Sequence, residues 1–471
     1  MLQLDKLKQL FRVAFQAQHD AKPEVHERYG ERLSPNMRAI RLAMNVADIL
    51  VGSGIAVSDV VSMGLDITDS YCKRKVQFDI SLTVIMASQD RGDEHEPLTM
   101  IRYARPRTTN NMLVQSIQEL VRDIGRGDIP LDEAEERFEQ LVAKPRHYPY
   151  WLRTFGTALI ASGVGVMFGA PPLIVTIMTV VGVAVSYGLT ILAKYRVPSF
   201  FAQVVSAALI ILVAALVTWA GDAGADIVDN VDPTLIAIGG IIMLLSGLAF
   251  VSAVQDAIDE YYITANARLL RVFMMTGGIV AGVTVGLYLA KQCDIFITVD
   301  SASTALAHGD WQIWGAMLIS VGYAISMQSN AKSVMVSGGM GALAWSIYML
   351  GTGQFSINMI VASGVAATVV GLVSSIIARF WRTPSAGLIM AGIVPLVPGL
   401  TLYNGLLQTV EGASHGYTAD QGILTLFTAA LIAVAIASGA SLGISIGRPL
   451  RRTMVRARNA LPRERLYTGS K

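Results

Sequence analysis

Long apolar runs, separated by short polar segments or segments containing Gly and Pro, dominate the chain from about residue 150 to about residue 446. Before residue 150, charged and apolar positions are interspersed as in a water-soluble domain. A helix that spans a bilayer needs about 20 mostly apolar residues. By this measure the second part holds ten candidate spans, at residues 152–169, 171–193, 198–220, 234–255, 269–290, 312–329, 333–351, 357–378, 385–408 and 422–446.

Two of the apolar stretches are about twice as long as one span. They cover residues 154–193 and 333–378, and neither contains Asp, Glu, Lys or Arg. Each has a turn with Gly or Pro inside it, FGAPP in the first and LGTGQ in the second. Because Gly and Pro interrupt helices, each stretch is interpreted as two spans joined by a short loop.

Residues 1–150 are predicted to form an α+β domain. Apolar residues recur at helical spacing in four segments, NMRAIRLAMNVADILVGSG, VSDVVSMGLDITDSY, TNNMLVQSIQELVRDIGRG and LDEAEERFEQLVAK. The segment KVQFDISLTVIMAS alternates and is rich in β-branched residues, which predicts one strand, with LTMIRYARP as its antiparallel neighbour. The leading segment MLQLDKLKQLFRVAFQAQHD is predicted to be an amphipathic helix rather than a secretory signal, because its apolar positions are interrupted by charges.

Composition defines the broad class. Of the 471 residues 53% are hydrophobic and only 15% are charged, and the mean hydropathy is +0.50. A soluble protein has roughly 25% charged residues, so this chain is predicted to be an integral membrane protein. The net charge of +2 gives no indication of a nucleic-acid partner.

The sequence gives no indication of a metal site, of ATP-driven transport or of an enzyme active site in residues 1–150. Cys72 and Cys293 are far apart, and the six histidines are scattered without ligand spacing, so no metal is predicted. The sequence has no P-loop, and residues 1–150 contain no GxSxG motif. We therefore expect neither ATP-driven transport nor enzymatic activity.

The distribution of basic residues predicts the orientation. Alternate loops carry nearly all the cationic side chains, namely Lys194, Arg196, Arg268, Arg271, Lys332, Arg379 and Arg382, and the tail 448–471 is strongly basic. The opposite loops are uncharged or lean acidic, with Lys291 as their single Lys or Arg. Basic loops stay in the cytoplasm, which predicts a multi-pass protein of the cell membrane with both termini inside. An even number of spans follows, in agreement with ten.

An internal repeat relates the two halves of the apolar region. Aligning residues 236–257 with 388–409 superimposes Gly240 on Gly392, Ser246 on Pro398 and Gly247 on Gly399. The GxxxG sequences at 282–286 and 439–443 then match as well. The repeat predicts two five-span units, 151–291 and 312–447. Because five is odd, the units have opposite orientations in the membrane, as in many secondary transporters.

The stretch LIMAGIVPLVPGLTLYNGLL supplies the candidate site. Pro398 and Gly399 interrupt an apolar span near its centre, and interrupted helices in corresponding positions of two halves indicate a transporter binding site. Unwound backbone and nearby polar groups can hold a small polar solute such as a zwitterion. The candidate binding residues are Gly247, Pro398, Gly399, Thr401, Tyr403, Asn404 and Gln203.

Asp256, near the end of the fourth span, is the candidate proton carrier. Ionisable groups inside spans are costly and usually functional. A carboxylate that is partly removed from water exchanges its proton closer to neutral pH than an exposed one.

The chain resembles the bacterial threonine/serine exporter family. The stretches that carry the resemblance are GSGIAVSDV, YRVPSFFAQVVSAAL, SGLAFVSAVQDAI with NARLL, and IVPLVPGLTLYNGLL. This chain has Ser246 where the first half of the family has Pro, and Ser58-Asp59 where the family often has Glu-Asp. The resemblance implies a cytoplasmic N-terminal region joined to two homologous five-span halves. It also implies export of L-threonine and L-serine driven by the proton gradient.

Two other functions stay open at this point. Relatives with the two halves on separate chains are linked to export of dicarboxylates. Two negative charges would favour cations in the cavity, yet residues 333–378 and 385–408 contain no Lys or Arg. The other alternative is a membrane-tethered enzyme or sensor that acts through residues 1–150.

Overall fold

The computed structural model describes residues 34–92, 96–105, 107–222, 233–244, 247–295, 306–381, 385–411 and 419–460. The predicted amphipathic helix at the N-terminus lies outside these ranges, as do Ser246, Arg382 and the last eleven residues of the basic tail.

The first described part combines four helices with a small sheet. The helices are α1 (Pro35–Gly52), α2 (Val57–Tyr71), α3 (Asn111–Gly125) and α4 (Leu131–Ala143). The strands β1 (Val76–Ser81), β2 (Val84–Gln89) and β3 (Leu98–Tyr103) form an antiparallel sheet in the order β1-β2-β3. Apolar side chains of the helices and of one sheet face share a core, including Ile40, Ile67, Ile85 and Ile117.

Residues 76–89 form a hairpin, so the prediction of a single strand was wrong. Ser81 pairs with Val84 across a two-residue turn, and Leu82 adopts a left-handed φ of 57°. Residues opposite each other in a hairpin share a face, so the buried positions change from even numbers on β1 to odd numbers on β2. The segment 84–86 is apolar at every position, which hides this change in the sequence. Turns of this kind are usually marked by Gly or Asn, and Leu82-Thr83 gives no such signal.

The second part is a bundle of long apolar helices. They are α5 (Tyr150–Met167), α6 (Pro172–Lys194), α7 (Ser199–Asp222), α8 (Pro233–Leu244), α9 (Gly247–Ile258), α10 (Tyr262–Gln292), α11 (Gly309–Ser326), α12 (Ala331–Met349), α13 (Met359–Trp381), α14 (Ser385–Ile393), α15 (Gly399–Glu411) and α16 (Ala419–Ala460). A π-helical turn, Leu350–Gln354, extends α12. Helix α16 continues without a break past residue 448, where the sequence predicted the start of a separate tail.

Within the described residues, seven helical segments are long and apolar enough to cross a membrane, and a bent helix pair brings the number to eight. Helices α8 and α9 are taken together in this count. The two 18-residue helices α5 and α11 are not among the eight. The chain is therefore a polytopic α-helical membrane protein.

Within the described residues, one of the apolar segments is interrupted near its centre. Helix α14 passes into a 3-10 turn, Val394–Leu396, and α15 begins at Gly399 after a bend of 50°. Proline at residues 395 and 398 removes backbone donors and prevents a continuous helix there.

The same helix pairings occur in the two halves of the bundle. The contacts α5–α6, α6–α8, α7–α10 and α9–α10 recur as α11–α12, α12–α14, α13–α16 and α15–α16. Helices α5 and α11 also pack on each other through glycines. Gly156 lies opposite Gly322 and Gly163 opposite Gly315, so closely that an added Cβ would lie 2.5–2.9 Å from a carbonyl oxygen of the partner helix. The earlier glycine of α5 lies opposite the later glycine of α11, so the two helices are antiparallel.

The matching GxxxG sequences have the same packing partner in each half. Gly282 of α10 lies against the Val204 carbonyl of α7, and Gly439 of α16 lies against the Gly364 carbonyl of α13. Small residues allow helix backbones to approach closely inside a membrane, where van der Waals packing holds helices together.

Candidate functional site

The bend between α14 and α15 contacts the corresponding segment of the first half. A Cβ atom on Gly247 would collide with Cγ1 of Val397 and lie 3.4 Å from Cα of Gly399. Gly399 is the first residue of α15, so the N-terminal end of α15 lies against Gly247. This contact brings together two sequence-predicted residues that are 152 positions apart.

The backbone departs from the helical pattern at this junction, where Gly247 contacts Val397 and Gly399. The Gly399 N–H bonds the Val397 carbonyl at 2.8 Å in a tight turn, and the helical pattern resumes where Leu402 N–H bonds the Pro398 carbonyl at 3.0 Å. The first N–H groups of a helix have no partner within the helix and carry the positive end of its dipole. The start of α15 can therefore bind a carboxylate.

The other predicted residues of this segment lie at the start of α15 or just before it. Pro398 and Tyr403 are buried, Tyr403 being 1% exposed, whereas Thr401 and Asn404 are partly exposed. All four lie within the first two turns of α15 or just before it, which places them at or next to the junction.

Gln203 is located elsewhere. It lies one turn inside α7 and packs against Gly278 of α10. Its side chain is 5% exposed, and Oε1 has no hydrogen-bond partner within the described part of the chain. The sequence alone could not distinguish this helix-interface position from a position at the junction.

Asp256 is buried but lies away from the junction. Nine residues separate it from Gly247 on α9, a distance of about 13 Å along a helix. Its side chain is 0% exposed. Oδ1 accepts a hydrogen bond from the Val57 N–H at 3.3 Å, and Oδ2 lies 2.6 Å from Nη1 of Arg268 in an ion pair without hydrogen-bond alignment.

The neighbours of Asp256 were not predicted from the sequence. Arg268 also donates to the Ile55 carbonyl at 3.4 Å, so its guanidinium connects α10 to the turn between α1 and α2. Gln255 donates from Nε2 to Oγ of Ser441 at 2.6 Å, which connects α9 to α16 of the other half. A glutamine next to an aspartate in an apolar helix is a sequence signal that could have identified Gln255. The sequence predicts Arg268 only as a cation of a cytoplasmic loop.

A polytopic helical bundle with an interrupted helix that contacts the corresponding segment of its other half has the form of a membrane transporter. The comparisons with known proteins specify the family. The threonine/serine exporter family, ThrE, matches residues 41–290 with one model and residues 312–446 with a second. The chain belongs to this family.

Two curated relatives cover most of the chain. A protein of Mycobacterium tuberculosis, named "Probable threonine/serine exporter", is 30% identical over 426 residues, which are 88% of this chain and 77% of the relative. The "Threonine/serine exporter" of Corynebacterium glutamicum is 27% identical over 420 residues, which are 88% of this chain and 83% of the relative. No solved structure matches the chain. Membership of an exporter family favours a transporter over a membrane-tethered enzyme.

Proposed function

We propose that the protein exports L-threonine and L-serine across the bacterial cell membrane by alternating access. The observation that carries this proposal is the contact of Gly247 with Gly399, which brings the bend before α15 against the corresponding segment of the first half. Interrupted helices near the bilayer midplane form the solute sites of many secondary transporters. The names of the two relatives supply the solutes.

We propose a membrane domain of two inverted five-span repeats, α5–α10 and α11–α16, with ten spans in all. The recurrence of helix pairings in the two halves supports the repeat. The antiparallel packing of α5 on α11 supports the inversion, because these helices are the first span of each repeat. Helices α5 and α11 complete the ten spans although both are less apolar than the others.

We propose that both termini lie in the cytoplasm, together with residues 34–148, here called the soluble part. The soluble part contacts the α9–α10 and α11–α12 connections, which the charge pattern assigns to the inside. At the other end of the bundle, the α5–α6 turn lies against the segment before α11, where Ala307 N–H bonds the Met167 carbonyl at 3.0 Å. The charge pattern assigns both of these segments to the outside.

The junction is suited to a zwitterion. The N-terminal end of α15 favours the carboxylate of an amino acid. Carbonyl groups at the end of the 3-10 turn before α15 can accept hydrogen bonds from its ammonium group, and Thr401 and Asn404 can bind a side-chain hydroxyl. A dicarboxylate has no cation for these carbonyls, and no Lys or Arg lies in residues 385–408.

We propose that Asp256 couples export to protons. Its burial and its pairing with Arg268 support the role, because protonation would remove the negative half of a buried ion pair and loosen α9 from α10. Since Asp256 lies about 13 Å from Gly247, coupling would pass through movement of α9 and not through direct contact with the solute.

The proposal is tested with purified protein in liposomes loaded with unlabelled threonine. We expect exchange with external labelled threonine and serine, and no exchange with labelled succinate. Exchange of succinate in place of threonine would contradict the proposed solute. Substituting Thr401→Val should raise the half-saturating threonine concentration, and Thr425→Val, whose hydroxyl bonds within the α15–α16 pair, is the control.

A further inference from the structure

The segment 52–59, which contains the turn between α1 and α2 and the first residues of α2, lies against the α9–α10 connection. This is the GSGIAVSD segment, to which the proposed transport gives no role. Ser58 Oγ donates to Oδ2 of Asp259 at 2.7 Å, Val57 N–H donates to Asp256, and the Ile55 carbonyl accepts from Arg268. Farther along the same surface, Leu82 N–H donates to Oγ1 of Thr264 at 2.8 Å.

Asp256 acts as a cap for a helix of the soluble part. Helix α2 begins after Ala56, which offers no side-chain cap, so its first N–H groups need an acceptor from elsewhere. The Asp256 carboxylate accepts from the first of them, Val57 N–H. The start of α2 and the end of α9 therefore stabilise each other.

The soluble part has a second attachment, at the connection between α11 and α12. Asn111 N–H and Met112 N–H bond the carbonyls of Met327 and Gln328 at 2.9 and 3.2 Å. Side chains add further bonds there: Asn111 to Ser329, Tyr148 to Ser329, Gln328 to Thr109 and Asn330 to Gln115. Gln328 is 1% exposed and also accepts from Tyr148 N–H at 3.0 Å.

These two attachments join different groups of membrane helices. Helices α9 and α10 pack with α15 and α16. Helices α11 and α12 pack with α5 and α14. The bend between α14 and α15 lies between these groups, since α14 packs with α11 and α12 whereas α15 packs with α10 and α16. The soluble part thus bridges the groups on its own side of the membrane.

We propose that the soluble part is a cytoplasmic latch, which holds the two helix groups together and must release α9–α10 before the solute path can open to the cytoplasm. The inference rests on the proposed alternating access. Release occurs at α9–α10 because that attachment is the weaker one. Two of its four described hydrogen bonds are 3.3 Å or longer, whereas the attachment at Gln328 includes two backbone–backbone bonds and a fully buried amide.

Reversible cross-links test the latch. The native cysteines are first replaced by serine, and Ser58→Cys with Asp259→Cys is then bridged by a short bis-methanethiosulfonate reagent. We expect threonine export to fall to the level of cells without the protein and to return after reduction. The matched control, Gln115→Cys with Asn330→Cys, bridges the attachment that stays closed, and export should persist. Full export with the first pair completely bridged would overturn the latch, and so would loss of export with the second pair alone.

Spin labels on the Ser58–Asp259 pair test the latch without transport. In lipid nanodiscs we expect two populations of molecules, one with a short and one with a long distance between the two spin labels. The proportions of the two populations should change when threonine is added. One short separation under all conditions would overturn the latch even if export is normal. If both separations are found but threonine neither shifts them nor is exported, the proposed solute has failed and the latch stands.

Discussion

Gly247 and Gly399 lie against each other, one in each half of the membrane domain, and Gly399 is the first residue of α15. A larger residue at Gly247 would displace its neighbour, since its Cβ would collide with Val397 Cγ1. The bend before α15 therefore packs directly on α9. We expect this junction to change shape only if α9 and α15 move together.

Replacing Gly247 with alanine should reduce threonine export strongly. The added methyl group forces Val397 and the 3-10 turn away from α9, and overpacking of this kind costs about 1–3 kcal/mol. Export is measured in cells with equal amounts of protein in the membrane. Gly339→Ala in α12 is the control, because nothing lies within 4 Å of a Cβ there. Equal export by the two variants would show that the close contact at Gly247 is not needed.

The glycines of the two GxxxG sequences should be equally sensitive. Gly282→Ile and Gly439→Ile both place a branched side chain against a carbonyl of the neighbouring helix, so we expect each to lower the unfolding temperature of the purified protein. Gly277→Ile, one turn before Gly282 on the same helix, meets nothing within 4 Å and should have little effect. A large drop for only one of the two halves would argue against equivalent packing.

Replacing Asp256 with asparagine should lower export that is driven by a proton gradient. Asparagine keeps the acceptor for Val57 N–H but leaves Arg268 without its counter-charge, and loss of one partner of a buried pair costs about 3–5 kcal/mol. Arg268 is 19% exposed, so water reduces this cost. Glu260→Gln, an exposed acidic residue four positions farther on, is the control. Unchanged export between about pH 6 and about pH 8 would remove Asp256 from the coupling mechanism.

The two cysteines report the orientation directly. Cys293 is exposed at the end of α10, which the charge pattern places outside. In intact cells a membrane-impermeant maleimide should label Cys293 and leave Cys72 unmodified. After permeabilisation Cys72 should react slowly, because burial, and next the charge of Asp69, raise the pKa of its thiol and reduce the reactive thiolate. Labelling of Cys72 before permeabilisation would invert the proposed topology.

The sequence placed Gly247 and Gly399 in one candidate site because the repeat was visible in glycine spacing alone. A glycine at a helix contact cannot be replaced without moving the neighbouring helix. The two halves therefore match at these glycines even though Ser246 of the first half corresponds to Pro398 of the second. The helices likewise followed from apolar length and periodicity, which physical chemistry relates directly to burial in lipid.

The surroundings of Asp256 could not be predicted in this way. Val57 and Asp256 are 199 positions apart and belong to regions with unrelated patterns, so no periodicity connects them. The hairpin at Leu82 was missed because the turn uses residues without a turn signature. Gln203 was grouped with the junction because polarity inside a span does not reveal which helix the side chain faces.

The most direct test of the account is efflux from cells loaded with threonine, serine and succinate, with and without a proton uncoupler. We predict that cells producing the protein lose threonine and serine faster than cells without it, and that the uncoupler abolishes this difference. Loss of succinate should be the same in both. Faster loss of succinate, with threonine and serine unchanged, would contradict the account.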